Sequence, residues 1–304
     1  MNFFDLHCDS PYESMRRNQS FQNGDLAVTA DKGSVFDFWR EICAVWIPDE
    51  HPFPRGRYKE ILDNFKCQIK TAENADDLAE NRAFLLSLEG ASLIESEADV
   101  DMLNNDGIVA VTLTWNGKNK IAGGVNTAGR FTEFGRRIVR RMNDRVIAAD
   151  LSHLNDRSFF DVISEAEYVF ASHTACRSIC HVRRNMTDEQ LSANAKKGGI
   201  IGLCLYPKFL GEGDTFENLY RHISHMISMG LEQNIAIGSD FDGAKMDKRL
   251  DTVDKIVILY KYLKNKGLSE GILERLFYKN AQNYFCGLLK LRSDKNELHQ
   301  HKRQ

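Results

Sequence analysis

Eight short segments rich in β-branched and aromatic residues recur along the chain, at about residues 2 to 6, 41 to 47, 83 to 88, 108 to 115, 146 to 152, 167 to 172, 199 to 206 and 235 to 240. Runs such as Ile200-Ile201-Gly202-Leu203-Cys204-Leu205 are apolar at nearly every position. A strand of that kind needs cover on both faces, the condition inside a parallel sheet. Between the segments lie stretches of helical spacing, at about 57 to 80, 129 to 143, 157 to 165, 187 to 197, 215 to 232 and 250 to 266. The plainest opens with the capping box Thr187-Asp188-Glu189-Gln190 and stops at Gly198-Gly199. Eight strands alternating with helices is the count of an α/β protein built as a (β/α)8 TIM-type barrel. A doubly wound open sheet is the rival arrangement.

Barrels of this type carry their chemistry at the C-terminal ends of the strands, and the polar residues here obey that rule. His7 and Asp9 end the first segment, Glu89 the third, and Trp115 with Asn116 the fourth. His153 ends the fifth, His173 the sixth, Tyr206 the seventh, and Asp240 with Asp242 the eighth. An open sheet would string these ends along a line, whereas a closed barrel gathers them on one ring. The barrel is expected over residues 1–291 as a single domain, with 292–304 a polar, disordered tail. His299 and His301 in that tail read as part of its polarity rather than as ligands. The glycine-bearing stretch from Asn116 to Gly129 reads as a long, mobile substrate loop.

Composition excludes several classes of function. At a formal net charge of −3 the chain has no basic surplus to hold a phosphate backbone, so no nucleic-acid partner is expected. Arg136, Arg137, Arg140 and Arg141 have the spacing of the wet face of an amphipathic helix. No apolar run is long enough to cross a bilayer, and the first residues lack a basic segment followed by an apolar one. These features predict a cytoplasmic protein with no membrane association. The 7 cysteines are scattered and odd in number, which suits buried thiols rather than a disulfide framework.

In an extended strand alternate side chains share a face, so His7 and Asp9 point together and Cys8 points away. Glu89 follows Phe84-Leu85-Leu86-Ser87-Leu88, a setting in which a carboxylate must be paired or metal-bound. His153 and His173 each follow an apolar run and a serine, at equivalent places on consecutive strands. Three imidazoles and two carboxylates delivered one strand end at a time are the ligand set of a pair of divalent metal ions. By contrast His51, His181, His222 and His225 lie in loops or helices and read as structural or surface residues.

These stretches carry a family resemblance. Asp5-Leu6-His7-Cys8-Asp9, Leu88-Glu89-Gly90, Leu113-Thr114, Phe134-Gly135, Asp150-Leu151-Ser152-His153 and Ser172-His173 occur in order, followed by Arg183-Arg184-Asn185, Thr187-Asp188 and Gly238-Ser239-Asp240-Phe241-Asp242-Gly243. From Asp5 to about Phe285 the chain resembles the renal (membrane) dipeptidase family, dinuclear zinc peptidases of the amidohydrolase-like barrels. The resemblance implies two Zn2+ per chain, with His7 and Asp9 on one, His153 and His173 on the other, and Glu89 on both. It gives Asp240 the handling of protons on the bridging water and the leaving amine. Arg184 becomes the receiver of the substrate's terminal carboxylate, and Asp242 a support for ligand or strand geometry.

The expected reaction is hydrolysis of a dipeptide through a metal-bridging hydroxide, with Asp240 and Glu89 catalytic and Arg184, Trp115 and Tyr206 contacting substrate. Trp115 stands where the family has a histidine that contacts the substrate carbonyl, and an indole can donate but not titrate or accept. That departure keeps two alternatives open: a metallohydrolase acting on another amide, ester or lactam, and a catalytically silent barrel that binds a small ligand. A mixed His and carboxylate site also accepts manganese or cobalt. Family likeness leaves a homodimer as an option, with no diagnostic interface pattern.

Overall fold

The computed structural model describes the backbone of residues 1–301, and side chains for all of these except 296 and 298–301. Among the described residues eight strands close a barrel in chain order: β1 Phe3–Cys8, β2 Trp39–Trp46, β3 Arg82–Glu89, β4 Ile108–Thr112, β5 Ala148–Asp150, β6 Val169–Thr174, β7 Ile201–Leu203 and β8 Ile235–Ile237. Every neighbouring pair is parallel, and β8 returns to β1 through Asp5 opposite Ile237. The helices are α1 Ser10–Arg17, α2 Pro54–Lys66, α3 Glu97–Asn105, α4 Glu133–Arg145, α5 Asp156–Glu165, α6 Asp188–Lys196, α7 Pro207–Leu210, α8 Thr215–Ser228, α9 Ile256–Asn265, α10 Glu270–Glu274 and α11 Asn280–His301. The barrel class expected from the alternation is therefore the observed one.

Two apolar layers hold it together. The larger joins one face of each strand to the surrounding helices, with Cys43, Val45, Leu86, Leu88, Val111 and Ile237 meeting residues such as Ile61, Phe65, Ile138 and Phe159. The smaller lies within the barrel, where Phe4, Leu6, Ile42, Leu85 and Phe170 pack on Phe285, Leu288 and Leu289 of α11. Phe285 meets Phe4 at 5.6 Å and Phe170 at 5.5 Å between ring centroids, so α11 plugs the end where the strands begin. The ends bearing polar residues stay open.

Several expectations are corrected. The helix expected over 57 to 80 stops at Lys66, because its apolar stripe of Tyr58, Ile61, Leu62 and Phe65 ends there. Asn74 and Asp77 then turn the chain by accepting backbone N–H groups of Glu73, Asn74, Asp76 and Asp77. The chain does not fray at Arg292. That residue is buried in α11 and donates to the carbonyls of Ile108 at 2.9 Å and Asn104 at 2.6 Å. Positions 302–304 and the side chains of His299 and His301 lie outside the described residues. The 116–129 stretch is pinned by bridges from Lys118 to Gly123 and from Gly124 to Leu154, with Ile121 and Ala122 buried. Among the described residues no helix is long and apolar enough to cross a membrane.

Candidate active site

His7 on β1 and Asp9, the residue that caps α1 just past the strand, both reach the site, while Cys8 faces Cys43 with the sulfurs 3.9 Å apart. The backbone N–H groups of His7 and Ser239 both donate to Asp5 Oδ1, at 3.3 and 2.7 Å, which fixes β1 against the end of β8. Glu89 is the last residue of β3. His173 lies within β6, and His153 sits three residues past β5 in a turn that holds it at φ 66°. A non-glycine residue in that region is held there against its own preference by its surroundings, and such residues gather at functional sites.

The expected donors converge. Glu89 Oε1 lies 3.0 Å from His153 Nε2 and 3.7 Å from His173 Nε2, while its Oε2 lies 3.5 Å from His7 Nε2. His7 Nε2 is also 3.5 Å from Asp9 Oδ2, and the Nε2 atoms of His153 and His173 face each other at 2.9 Å. All five residues are buried.

Hydrogen bonds behind the rings decide which nitrogens carry protons. Asn116 Oδ1 lies 2.9 Å from His153 Nδ1, so that nitrogen donates. Ser172 Oγ donates to Asp150 Oδ2 at 2.6 Å and stands 2.7 Å from His173 Nδ1, which therefore donates to the serine. Both Nε2 atoms are left as bare lone pairs aimed at each other and at a carboxylate oxygen. His7 Nε2 and Asp9 Oδ1 are buried with no hydrogen-bond partner at all. Buried acceptors without protons between them repel, and a cation at their centre relieves the repulsion. Two ligands of a tetrahedral zinc ion at its usual bond lengths stand roughly 3.3 Å apart, and the donor separations here run from 2.9 to 3.7 Å. The donor set fits divalent metal.

Burial acts to lower the His7 imidazole, but Glu89 and Asp9 outweigh it and raise it well above its ordinary value, so the acidic cage draws positive charge to its centre. Burial, then the charge of Glu89, pushes the Asp9 carboxyl up to about 7. Burial, then Asp9, raises Asp240 well above the carboxylate range. Burial acts to raise Glu89 too, but His7 and His153 outweigh it and hold that carboxyl below its usual value.

Asp240 lies past β8 at φ 67°, and a carboxylate oxygen of it comes within 4.8 Å of nitrogens of His7 and His173. Arg184 is buried under the Phe209 ring, 5.6 Å from its centroid, and donates Nη2 to the His173 carbonyl at 2.8 Å. Its Nε and Nη1 have no partner. A cavity of about 520 Å³ opens over the cage, bordered by Trp46, Trp115, Asn116, Tyr206, Phe209 and Asp240. Trp115 and Tyr206 thus stand at the cavity as expected, although β4 and β7 end earlier, at Thr112 and Leu203. Asp242 turns away from the cage and accepts from Ser10 Oγ at 2.6 Å and the backbone N–H of Ala27 at 2.8 Å.

A sequence profile of the membrane dipeptidase family matches residues 56–289. The chain belongs to the membrane dipeptidase family, peptidase family M19. It is accordingly a metal-dependent hydrolase of the dipeptidase class. It is 27% identical over 243 residues to an uncharacterized protein in the pqqA 5' region of Klebsiella pneumoniae, covering 73% of this chain and 90% of that one. Against dipeptidase verJ of Clonostachys rogersoniana it is 30% identical over 208 residues, covering 66% of this chain but only 53%, about half, of that relative. Among solved structures, a metallo peptidase from Rhodobacter sphaeroides liganded with a phosphinate mimic of the dipeptide L-Ala-D-Ala superposes with a TM-score of 0.84. The identity there is 21%, covering 95% of this chain and 99% of that one, a likeness of fold.

The structure adds residues for which the sequence reading found no role. Asp150 anchors Ser172 and, with it, His173; its signal was a lone carboxylate two residues before Ser152. Asn116 braces His153, although it was read only as a strand end. Trp46 closes β2, the one strand end for which no polar residue was sought.

Proposed function

We propose that this family member hydrolyses dipeptides with two divalent ions, zinc by family likeness, held in the cage at the barrel mouth. The observation that carries the proposal is Glu89, which offers one oxygen to the His7–Asp9 pair and the other to the His153–His173 pair. His7 and Asp9 would hold one ion, His153 and His173 the second, and Glu89 both. Such a pair of ions supplies Lewis acidity toward the scissile carbonyl and brings a shared water to hydroxide near neutral pH.

The chain's own residues do the rest. Asp240 sits at the cage edge, where a carboxylate can take a proton and hand it to the departing amine nitrogen. Arg184 has two unengaged N–H donors on a planar fork, the pattern that grips a carboxylate at two points. Phe209 covers that arginine, and Tyr206 borders the cavity beside it. Trp115 presents an aromatic face to the substrate rather than a titratable ring.

The test is purified protein, stripped and reloaded with zinc, assayed on a dipeptide panel alongside Asp240→Asn. The expected result is about two metal equivalents in both proteins and turnover lowered roughly 10²- to 10⁴-fold in the variant. An Asp240→Asn protein that keeps full turnover, or a wild type that cleaves nothing across the panel, would sink the reading.

A further inference from the structure

The cavity has two unlike sides. Barrel order puts the loops after β1, β2 and β4 on one half of the rim and those after β6, β7 and β8 on the other. On the first half Tyr12 meets Trp46 edge-on at 4.8 Å, and Trp46 meets Trp115 edge-on at 5.3 Å. Trp115 in turn lies 6.4 Å from the His153 ring, and all three aromatic rings border the cavity. The wall is braced from behind. Arg57 lies over Tyr12 at 5.3 Å, and Asp49 Oδ1 accepts the backbone N–H of Trp115 at 3.3 Å. Arg16, which also borders the cavity, is engaged by both oxygens of Glu13 at 2.6 Å. The second half carries Tyr206 and Phe209, edge-on at 5.1 Å, with Arg184 buried beneath Phe209 and its Nε and Nη1 donors unengaged.

We propose that Tyr12, Trp46 and Trp115 form the subsite for the side chain of the substrate's N-terminal residue, and that they select aromatic or large aliphatic side chains there. The inference rests on the dipeptidase reading: with the terminal carboxylate at Arg184, beside Tyr206 and Phe209, the amino-terminal residue is left to the opposite half of the rim, which carries Tyr12, Trp46 and Trp115. Interlocked, edge-packed rings are already ordered, so a ligand side chain gains apolar burial and edge-to-face contact with little further loss of freedom. Apolar pockets discriminate by roughly 10- to 200-fold for even small changes in side-chain size.

The experiment compares kcat/KM on the zinc-loaded enzyme for Gly-Ala, Ala-Ala, Leu-Ala and Phe-Ala, and for Ala-Gly, Ala-Leu and Ala-Phe. The expected rise from Gly-Ala to Phe-Ala is at least about tenfold, with a weaker dependence in the second series. Trp46→Ala should cut the Phe-Ala to Gly-Ala ratio to about threefold or less, and Tyr12→Ala, on a helix rather than a barrel strand, tests the same wall if Trp46→Ala does not fold. A flat first series, or a ratio intact in both variants, overturns the subsite while hydrolysis of Gly-Ala leaves the dipeptidase reading standing. Cleavage of no dipeptide in either series removes that reading, and the subsite with it.

Discussion

The two histidines that face each other at the cage are held by different devices. His173 leans on a hydroxyl backed by a buried carboxylate, whereas His153 leans on the neutral Asn116, whose backbone neighbours are tied to Asp49. Removing a partner behind a metal-bound imidazole typically weakens metal binding 10- to 100-fold. Asn116→Ala should therefore lose about tenfold or more in affinity for one of two zinc equivalents in chelator competition, with the far-UV CD spectrum unchanged. Asn116→Asp, which keeps an acceptor oxygen opposite Nδ1, should restore most of it. Equal affinities in all three proteins would assign Asn116 to packing alone. The five residues of the cage were legible because each sits where an apolar run stops. Asn116, Asp49 and Asp150 were not, because an orienting partner is defined by a contact across the ring of strands and has no period or spacing of its own.

Among the elements, the turn after β8 is tied to the long segment that follows β1. Asp242, at φ 64°, takes hydrogen bonds from Ser10 at the start of α1 and from Ala27 and Val28 in the following loop. Each charge-assisted bond of this kind is worth about 1.5–3 kcal/mol, and truncation strands buried donors. Asp242→Ala should lose about 3 kcal/mol in urea unfolding, and Asp242→Asn, which keeps one acceptor, less than that. A loss under about 0.5 kcal/mol would show that the rim holds without it. Strand positions were readable in the sequence through their apolar runs, but their lengths were overstated for β4, β5, β7 and β8. Gly202 and Gly238 explain part of this, since a Cβ at either would lie 1.9 or 1.7 Å from the Ser172 carbonyl oxygen. Such close approach of three strands depends on partners far away in the chain, and an apolar run does not announce it.

For the whole molecule, pH acts through histidines buried without charge. His222 in α8 is fully buried, accepting the Cys176 N–H at Nδ1 and donating Nε2–H to the Leu210 carbonyl. Burial lowers its pKa to about 4 from an ordinary value of 6.5. The unfolded chain thus binds a proton between those values that the folded chain refuses, so stability is whole above 6.5 and falls as pH drops toward 4. About 2 kcal/mol of it should be gone by pH 5. Urea titrations at pH 7.5 and 5 should show a fall smaller by about that amount in His222→Gln, and an unchanged fall would place the sensitivity elsewhere. The same scale holds the largest misreading of the sequence, the end of the chain. Loss of apolar spacing from Arg292 onward suggests a loose tail, yet α11 continues past that residue, whose guanidinium donates to the carbonyls of Ile108 and Asn104, while Ala281, Phe285, Leu288 and Leu289 just before it enter the barrel. Among the described residues that plug stops the end opposite the cage, so whatever is released there backs out past the rings at the mouth, and a product that lingers delays the next arrival.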